Sequence, residues 1–303
     1  MYLNFPDSFA SSIKSAGMDL VTTANNHILD HEFSGAVRTL EILDKYDIKH
    51  VGSYKSRNES ELPYIINIHG TRVALLSYTY GVNYKDDAYF FNGDTNFVTK
   101  VCVEVDSPFL TQNLHLVERD FARVKAMNPD CVVVLAHLGT EFSHMPDRTQ
   151  KFWCDRFISL GADIVLSAHA HVVQPVVWRQ VDGSKLIVYG PGNFISTYYE
   201  RDGYATMMCE IYLSRSTGKP VAASCMPMYQ YCHKDGGYTA IPVHDAINDY
   251  DFLSKMNKSE KKLAQNAQRI VSRIVSGKNI PFGVDIERFW ILPHDLSFSD
   301  ETL

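Results

Sequence analysis

Cys131-Val132-Val133-Val134-Leu135-Ala136, running straight into His137-Leu138-Gly139-Thr140-Glu141, is the stretch that decides the fold. Its continuous apolar run reads as a strand buried on both faces, as in a parallel sheet covered by helices. The flanks agree. Ser107-Pro108 opens a helix whose buried face is Leu114, Val117, Phe121 and Val124, and Pro129 lies beyond its end. Downstream, a helix over about residues 147–160 is stopped by Gly161 and leads to a second strand, Asp163 to Leu166.

Further out, the same alternation continues. Asp7 is the expected N-cap of a helix from Ser8 to Ala16, with Gly17 closing it, and a buried strand follows at Asp19 to Thr22. Ser34 is the expected cap of a helix with Val37, Leu40, Ile42, Leu43 and Tyr46 as its apolar stripe. Short strands fall at Lys49–Val51, Tyr64–Ile68 and Arg72–Tyr78, the last two split by His69-Gly70-Thr71. Later strands are expected near Leu186–Tyr189 and Thr206–Leu213, then an amphipathic helix from Lys255 to Ser276 and an aromatic tail, Phe289-Trp290-Ile291-Leu292, that packs back on the core. The expected organisation is an α/β domain over 1–246 with a helical C-terminal extension over 247–303.

Composition narrows the function classes. The 303 residues carry 29 Lys+Arg against 35 Asp+Glu, a net charge of −6, and this mild acidity argues against a nucleic-acid groove. Charged residues make up 21%, which excludes wholesale disorder. No apolar run approaches the length of a transmembrane segment, and Met1 to Asp7 lacks the regions of a signal peptide, so as written the chain reads as cytoplasmic, with a membrane-associated or extracytoplasmic placement the alternative if the native N-terminus lies upstream. Six cysteines without CxxC spacing read as small core residues and not as a disulfide framework or a zinc–thiolate site. Any metal must therefore be held chiefly by histidine, of which there are twelve.

Polar residues recur where the apolar strands stop, and the carboxyl ends of strands are where α/β sheets bind ligands. Asn25-Asn26-His27-Ile28-Leu29-Asp30 follows the first strand, His137 ends the strand from Cys131, and His169-Ala170-His171 follows the strand from Asp163. Imidazoles suit Zn, Fe or Mn, and a carboxamide oxygen such as that of Asn26 can complete a set. His27 could then face substrate as a general acid, with Asp30 and Glu141 orienting imidazoles. Singly, each has a plainer reading: a turn at Asn25-Asn26, a hydrogen-bonded histidine at a strand end, a solvated Glu141. Their conjunction at three strand ends favours a metal site.

These blocks, in this order, resemble the CapA-type capsule and poly-γ-glutamate synthesis proteins of the PGA_cap family, relatives of calcineurin-like metallophosphoesterases. The resemblance runs from about Asn4 to Pro227. It rests on Asn4-Phe5-Pro6, Gly17-Met18-Asp19, Thr23 to Asp30, His137 to Glu141, Gly161 to Val165, His169 to Pro175, and Tyr189-Gly190-Pro191-Gly192-Asn193-Phe194-Ile195. It implies a metallophosphoesterase-like αββα sandwich, with Asn26, His137, His169 and His171 as ligands of one or two divalent transition metals (Mn, Fe or Zn). It implies that His27 assists the leaving group, and that Asn193 shapes the site or merely the turn that carries it. The implied substrate is a phosphoester or an anionic cell-envelope polymer. Departures are Leu138 for the family's Trp, and Ser167 and Ala170 for its Gly and Pro. The family's upstream Gly-Asp and Asn-Leu-Glu blocks, which supply acidic bridging ligands, are not in this sequence. The sandwich is therefore expected to be incomplete at its N-terminal edge, with the edge beside Asp19–Thr22 covered by a second chain or by the tail containing Phe289-Trp290. A non-catalytic scaffold or polymer-binding member with a degenerate metal site is the alternative.

Overall fold

The computed structural model describes residues 2–197 and 201–293, the side chain of Phe252 excepted. The chain is a mixed α/β protein with parallel and antiparallel pairing. It divides into two compact units, Met1–Leu138 with Phe152–Ala162, and Gly139–Lys151 with Asp163–Leu303.

In the first unit the elements run α1 (Ser8–Ser15), β1 (Leu20–Thr22), α2 (Glu32–Lys45), β2 (Lys49–Val51), α3 (Arg57–Ser60), β3 (Tyr64–Ile68), β4 (Thr71–Thr79), α4 (Asp87–Asn92), α5 (Leu110–Ala126) and β5 (Cys131–Leu138). α6 follows at Arg148–Leu160. β4 lies between β3, antiparallel to it, and β5, parallel to it. The Cys131 run is thus the parallel strand its composition demanded. Val117, Phe121 and Val124 of α5 are buried, while Leu114 is only half-buried and Asn113 takes a buried place, donating to Val101 O at 2.8 Å. Trp153 and Phe157 are fully buried, with Phe157 stacked on Tyr78 at 5.2 Å and Trp153 Nε1 donating to Val103 O at 2.8 Å. Burying each such ring contributes about 1.5–3 kcal/mol.

Two expected caps do not form. Asp7 has helical backbone angles and no capping bond; its Oδ1 accepts from Arg38 Nη2 at 2.7 Å instead. α2 begins at Glu32, so Ser34 lies inside it, its hydroxyl donating back to His31 O at 3.4 Å. β1 also departs from expectation. It pairs in parallel with β2 in a separate two-stranded sheet, and none of its three residues is buried.

The second unit contains β6 (Ile164–His169), β7 (Val176–Gln180), β8 (Ser184–Val188), β9 (Ala205–Leu213), β10 (Pro220–Cys232), β11 (Tyr238–Pro242), α7 (Val243–Asn248), α8 (Tyr250–Lys255), α9 (Lys258–Ser276) and β12 (Phe289–Ile291). β8 pairs parallel to β6 and antiparallel to β7. The long β10 is the centre of a second, antiparallel sheet with β9, β11 and β12. α9 buries Ala264, Ala267, Ile270, Val271 and Val275, joining Tyr204, Tyr229 and Tyr231 in one core. The tail is captured within this unit: β12 pairs with Ala223–Cys225 of β10, Trp290 stacks on Tyr212 at 5.4 Å, and Trp178 Nε1 donates to Ile291 O at 3.2 Å.

Candidate functional site

In the first unit the chain leaves β1 through a tightly bonded turn. Thr23 N–H donates to Val51 O at 2.9 Å, Asn25 Oδ1 accepts from His27 N–H at 2.8 Å, and Asp30 N–H donates to His27 O at 3.0 Å. Gly52 lets the end of β2 approach this turn. At φ +112 it has no side chain, and a Cβ there would stand 2.7 Å from Ala24 N. The turn buries Asn26 and Asp30 and leaves His27 partly open, its side chain 28% exposed.

Two pairings result. Asn26 Oδ1 lies 3.0 Å from His137 Nε2 at the carboxyl end of β5. His27 Nδ1 lies 2.7 Å from Asp30 Oδ2, whose side chain is 1% exposed and which also accepts the Leu3 N–H at 2.7 Å. Asn83, on the loop after β4, braces both: its Oδ1 accepts from Asn26 Nδ2 at 3.2 Å, and its Nδ2 stands 3.2 Å from His27 Nδ1. A ring nitrogen carries one proton at most, and the shorter contact to a buried carboxylate takes it. That fixes the tautomer and assigns proton exchange to Nε2. Asp30 Oδ1 is buried with no hydrogen-bond partner among the described residues, an unmet acceptor of the kind found at working sites.

The second unit gathers the other expected residues. His169 ends β6 at φ +105 and His171 follows at φ +61, a left-handed backbone that non-glycine residues adopt at a cost of about 1–3 kcal/mol each. The His169 and His171 rings are 6.1 Å apart between centroids. His171 Nδ1 meets Asn193 Oδ1 at 2.7 Å, and its ring stacks on Phe142 at 5.5 Å. Glu141 Oε1 is 3.9 Å from His171 Nε2, too long for a hydrogen bond, whereas the Asn193 contact is within bonding distance. Below lies a buried amide knot: Gln150 Nε2 donates to Gln174 Oε1 at 2.9 Å and to Tyr189 O at 2.9 Å, and is 3.1 Å from Ser167 Oγ.

Asn83, His144 and Gln150 were not singled out in the sequence. His144 Nδ1 is 2.7 Å from Val173 O and its Nε2 is 3.2 Å from Asp202 Oδ2. None of the three directly adjoins the end of an apolar run, the signal that marked the others.

A divalent transition metal fits the donor chemistry, since a carboxamide oxygen and imidazole nitrogens are its ligand types. The count is short. Among the described residues no group of three or more His, Cys, Asp or Glu is arranged to hold an ion.

Residues 1–198 match the family described as "Bacterial capsule synthesis protein PGA_cap". The chain belongs to that family. Among curated PGA_cap relatives, "Capsule biosynthesis protein CapA" of Bacillus anthracis is 27% identical over 200 residues, covering 64% of this chain and 44% of that protein. "PGA biosynthesis protein CapA" of Bacillus subtilis (strain 168) is 24% identical over 184 residues, covering 60% of this chain and 44% of that protein. The chain thus spans less than half the length of either. Among solved structures, "Termus thermophilus Sulfate thiohydrolase SoxB in complex with glycerol" is similar at a TM-score of 0.42 and 13% identity, over 86% of this chain and 38% of that one. No helix among the described residues is long and apolar enough to cross a membrane.

Proposed function

We propose that this PGA_cap chain is a metal-dependent hydrolase or transferase of the metallophosphoesterase type, acting on a phosphoester or anionic polymer in capsule or poly-γ-glutamate metabolism. The observation that carries the reading is the buried carboxylate of Asp30 bonded to a part-open His27, one residue from the Asn26–His137 pair. Asn26, His137, His169 and His171 are the proposed ligands of one or two Mn, Fe or Zn ions. When bound, such an ion supplies Lewis acidity toward a phosphoryl or acyl oxygen. His27, held by Asp30, donates a proton from Nε2 to the leaving oxygen. Asn83 keeps the Asn26 carboxamide turned toward His137, and Asn193 holds His171.

A second reading is a polymer-binding member without turnover. It is favoured by the missing group of three His, Cys, Asp or Glu among the described residues. Metal analysis of the purified chain, beside turnover of bis(p-nitrophenyl) phosphate, separates the two. The enzyme reading expects bound transition metal, strongly reduced in His137→Ala and in His169→Ala, because a lost ligand in a preformed site is not readily replaced. Metal content unchanged in both variants would overturn the ligand assignment, and loaded protein without turnover would favour the binding reading.

A further inference from the structure

Apart from the histidine clusters, the second unit sets two thiols face to face. β9 and β10 pair antiparallel, and their register places Cys209 directly opposite Cys225. Residues so opposed have Cα atoms about 4.5–5.5 Å apart, within the span of about 4.4–6.8 Å that disulfides bridge. The side chains point to the same face, with Sγ atoms 3.5 Å apart. A disulfide bond is about 2.04 Å long, so side-chain rotation has only a short gap to close. Composition gave no sign of this, because Cys209 and Cys225 are far apart in sequence and become neighbours only when the strands pair.

We propose that Cys209 and Cys225 form a reversible redox pair, closed to an intramolecular disulfide by a small-molecule disulfide oxidant. Cys209 is partly exposed and Cys225 is fully buried, which sets the order of events. The Cys209 sulfur, having lost its proton, attacks one sulfur of the oxidant, forming a mixed disulfide and expelling one thiolate, which takes up a proton. Cys225 then loses its proton and attacks the Cys209 sulfur, and the second oxidant thiolate leaves and is protonated in turn. Two protein thiols give up two electrons and two protons, and the oxidant becomes two thiols. The hydrogen bond with Cys209, together with burial, holds the Cys225 thiol above its usual range, so Cys225 is the resolving thiol and not the first to react.

Closure would clamp the strand that organises this sheet. Cys225 is register partner to Cys209 on one side and to Phe289 of β12 on the other. The neighbouring residues are already tied: Glu210 pairs with Arg288, and its Oε2 is 3.3 Å from Ser224 Oγ. A bond at this point therefore fixes β9 to the part of β10 that holds the C-terminal strand.

The test exposes the full reduced chain to oxidised glutathione, blocks remaining thiols with N-ethylmaleimide and maps the peptides. The expected result is a linked peptide joining 209 to 225, four of the six thiols still blocked by the reagent, and a higher melting temperature that dithiothreitol reverses. Cys225→Ala should trap glutathione on Cys209, and Cys209→Ser should abolish both the link and the melting shift. Recovery of both residues as blocked thiols from the folded wild-type chain would overturn the proposal. So would glutathione persisting on wild-type Cys209 with no link to Cys225.

Discussion

At the residue scale the decisive contact is between His27 and Asp30. A carboxylate almost wholly out of water holds an imidazole nitrogen at 2.7 Å, while the His27 side chain is partly open to solvent. Removing the ring removes the proton donor and leaves Asn26 and His137 in place. His27→Ala is therefore expected to lower phosphoester turnover by about 10²–10⁴-fold, with bound metal unchanged by elemental analysis. Asp30→Asn should give a smaller loss and a shifted pH–rate profile, because an amide cannot anchor the same tautomer as firmly. Metal loss in the His27 variant would mean that its side chain supports a ligand instead. Much of this neighbourhood was legible in the sequence, since Asn26, His27, Asp30 and His137 each follow an apolar strand. Asn83 was not, because a polar residue in a Gly- and Asp-rich loop carries no local mark of the partner it meets 57 residues away.

Among the elements, α9 has the most explicit boundary. Asn257 Oδ1 accepts from the Ser259 and Glu260 N–H groups, Glu260 Oε2 accepts the Asn257 N–H at 2.6 Å, and Gly277 ends the helix at φ +67. Asn257→Ala should destabilise the chain by roughly 0.5–2 kcal/mol, read as a lower urea midpoint. The same comparison shows what the sequence could and could not say about elements. β5, α5, α6 and α9 were legible because their apolar spacing is strong. Caps failed at Asp7 and Ser34 because a short polar side chain chooses among several partners, and Asp7 found Arg38. β10 was missed outright: Pro220, Pro227 and a run of small residues give it little strand character, and it exists because β9, β11 and β12 all pair with it.

For the whole molecule, the clearest expectation concerns alkaline stability. Burial pushes the Cys102 thiol well above its ordinary 9.0, and the Tyr78 and Tyr54 phenols above their ordinary 10.0, with the Asp120 carboxylate adding to each. Folded groups with raised values hold protons that the unfolded chain releases, so their stabilisation is complete below the unfolded values and is lost as pH climbs past them. Lys100 opposes this. Burial lowers it below 10.5 despite its bond to Asp120, so stability gains as pH rises through that interval. Cys225, held high as well, and the partly buried Tyr204 act in the same direction as these three acids, so on a chain already at −6 the lowered lysine is outweighed and the net is a loss. Urea midpoints should begin to fall near pH 9 and fall faster beyond pH 10, and Cys102→Ala should delay the onset. A flat midpoint across this range would mean that these groups ionise alike in the folded and unfolded chain.

The bond from the Leu3 amide to Asp30 gives the acid–base pair a built-in reporter. A backbone N–H donating to a carboxylate oxygen at 2.7 Å feels the charge on that oxygen directly, and the same oxygen stands 2.7 Å from His27 Nδ1. In a ¹⁵N-labelled sample, the Leu3 cross-peak should therefore move in Asp30→Asn and in His27→Ala, without substrate, metal or turnover. It would give the dyad a signal of its own, against which the activity of each variant can be laid.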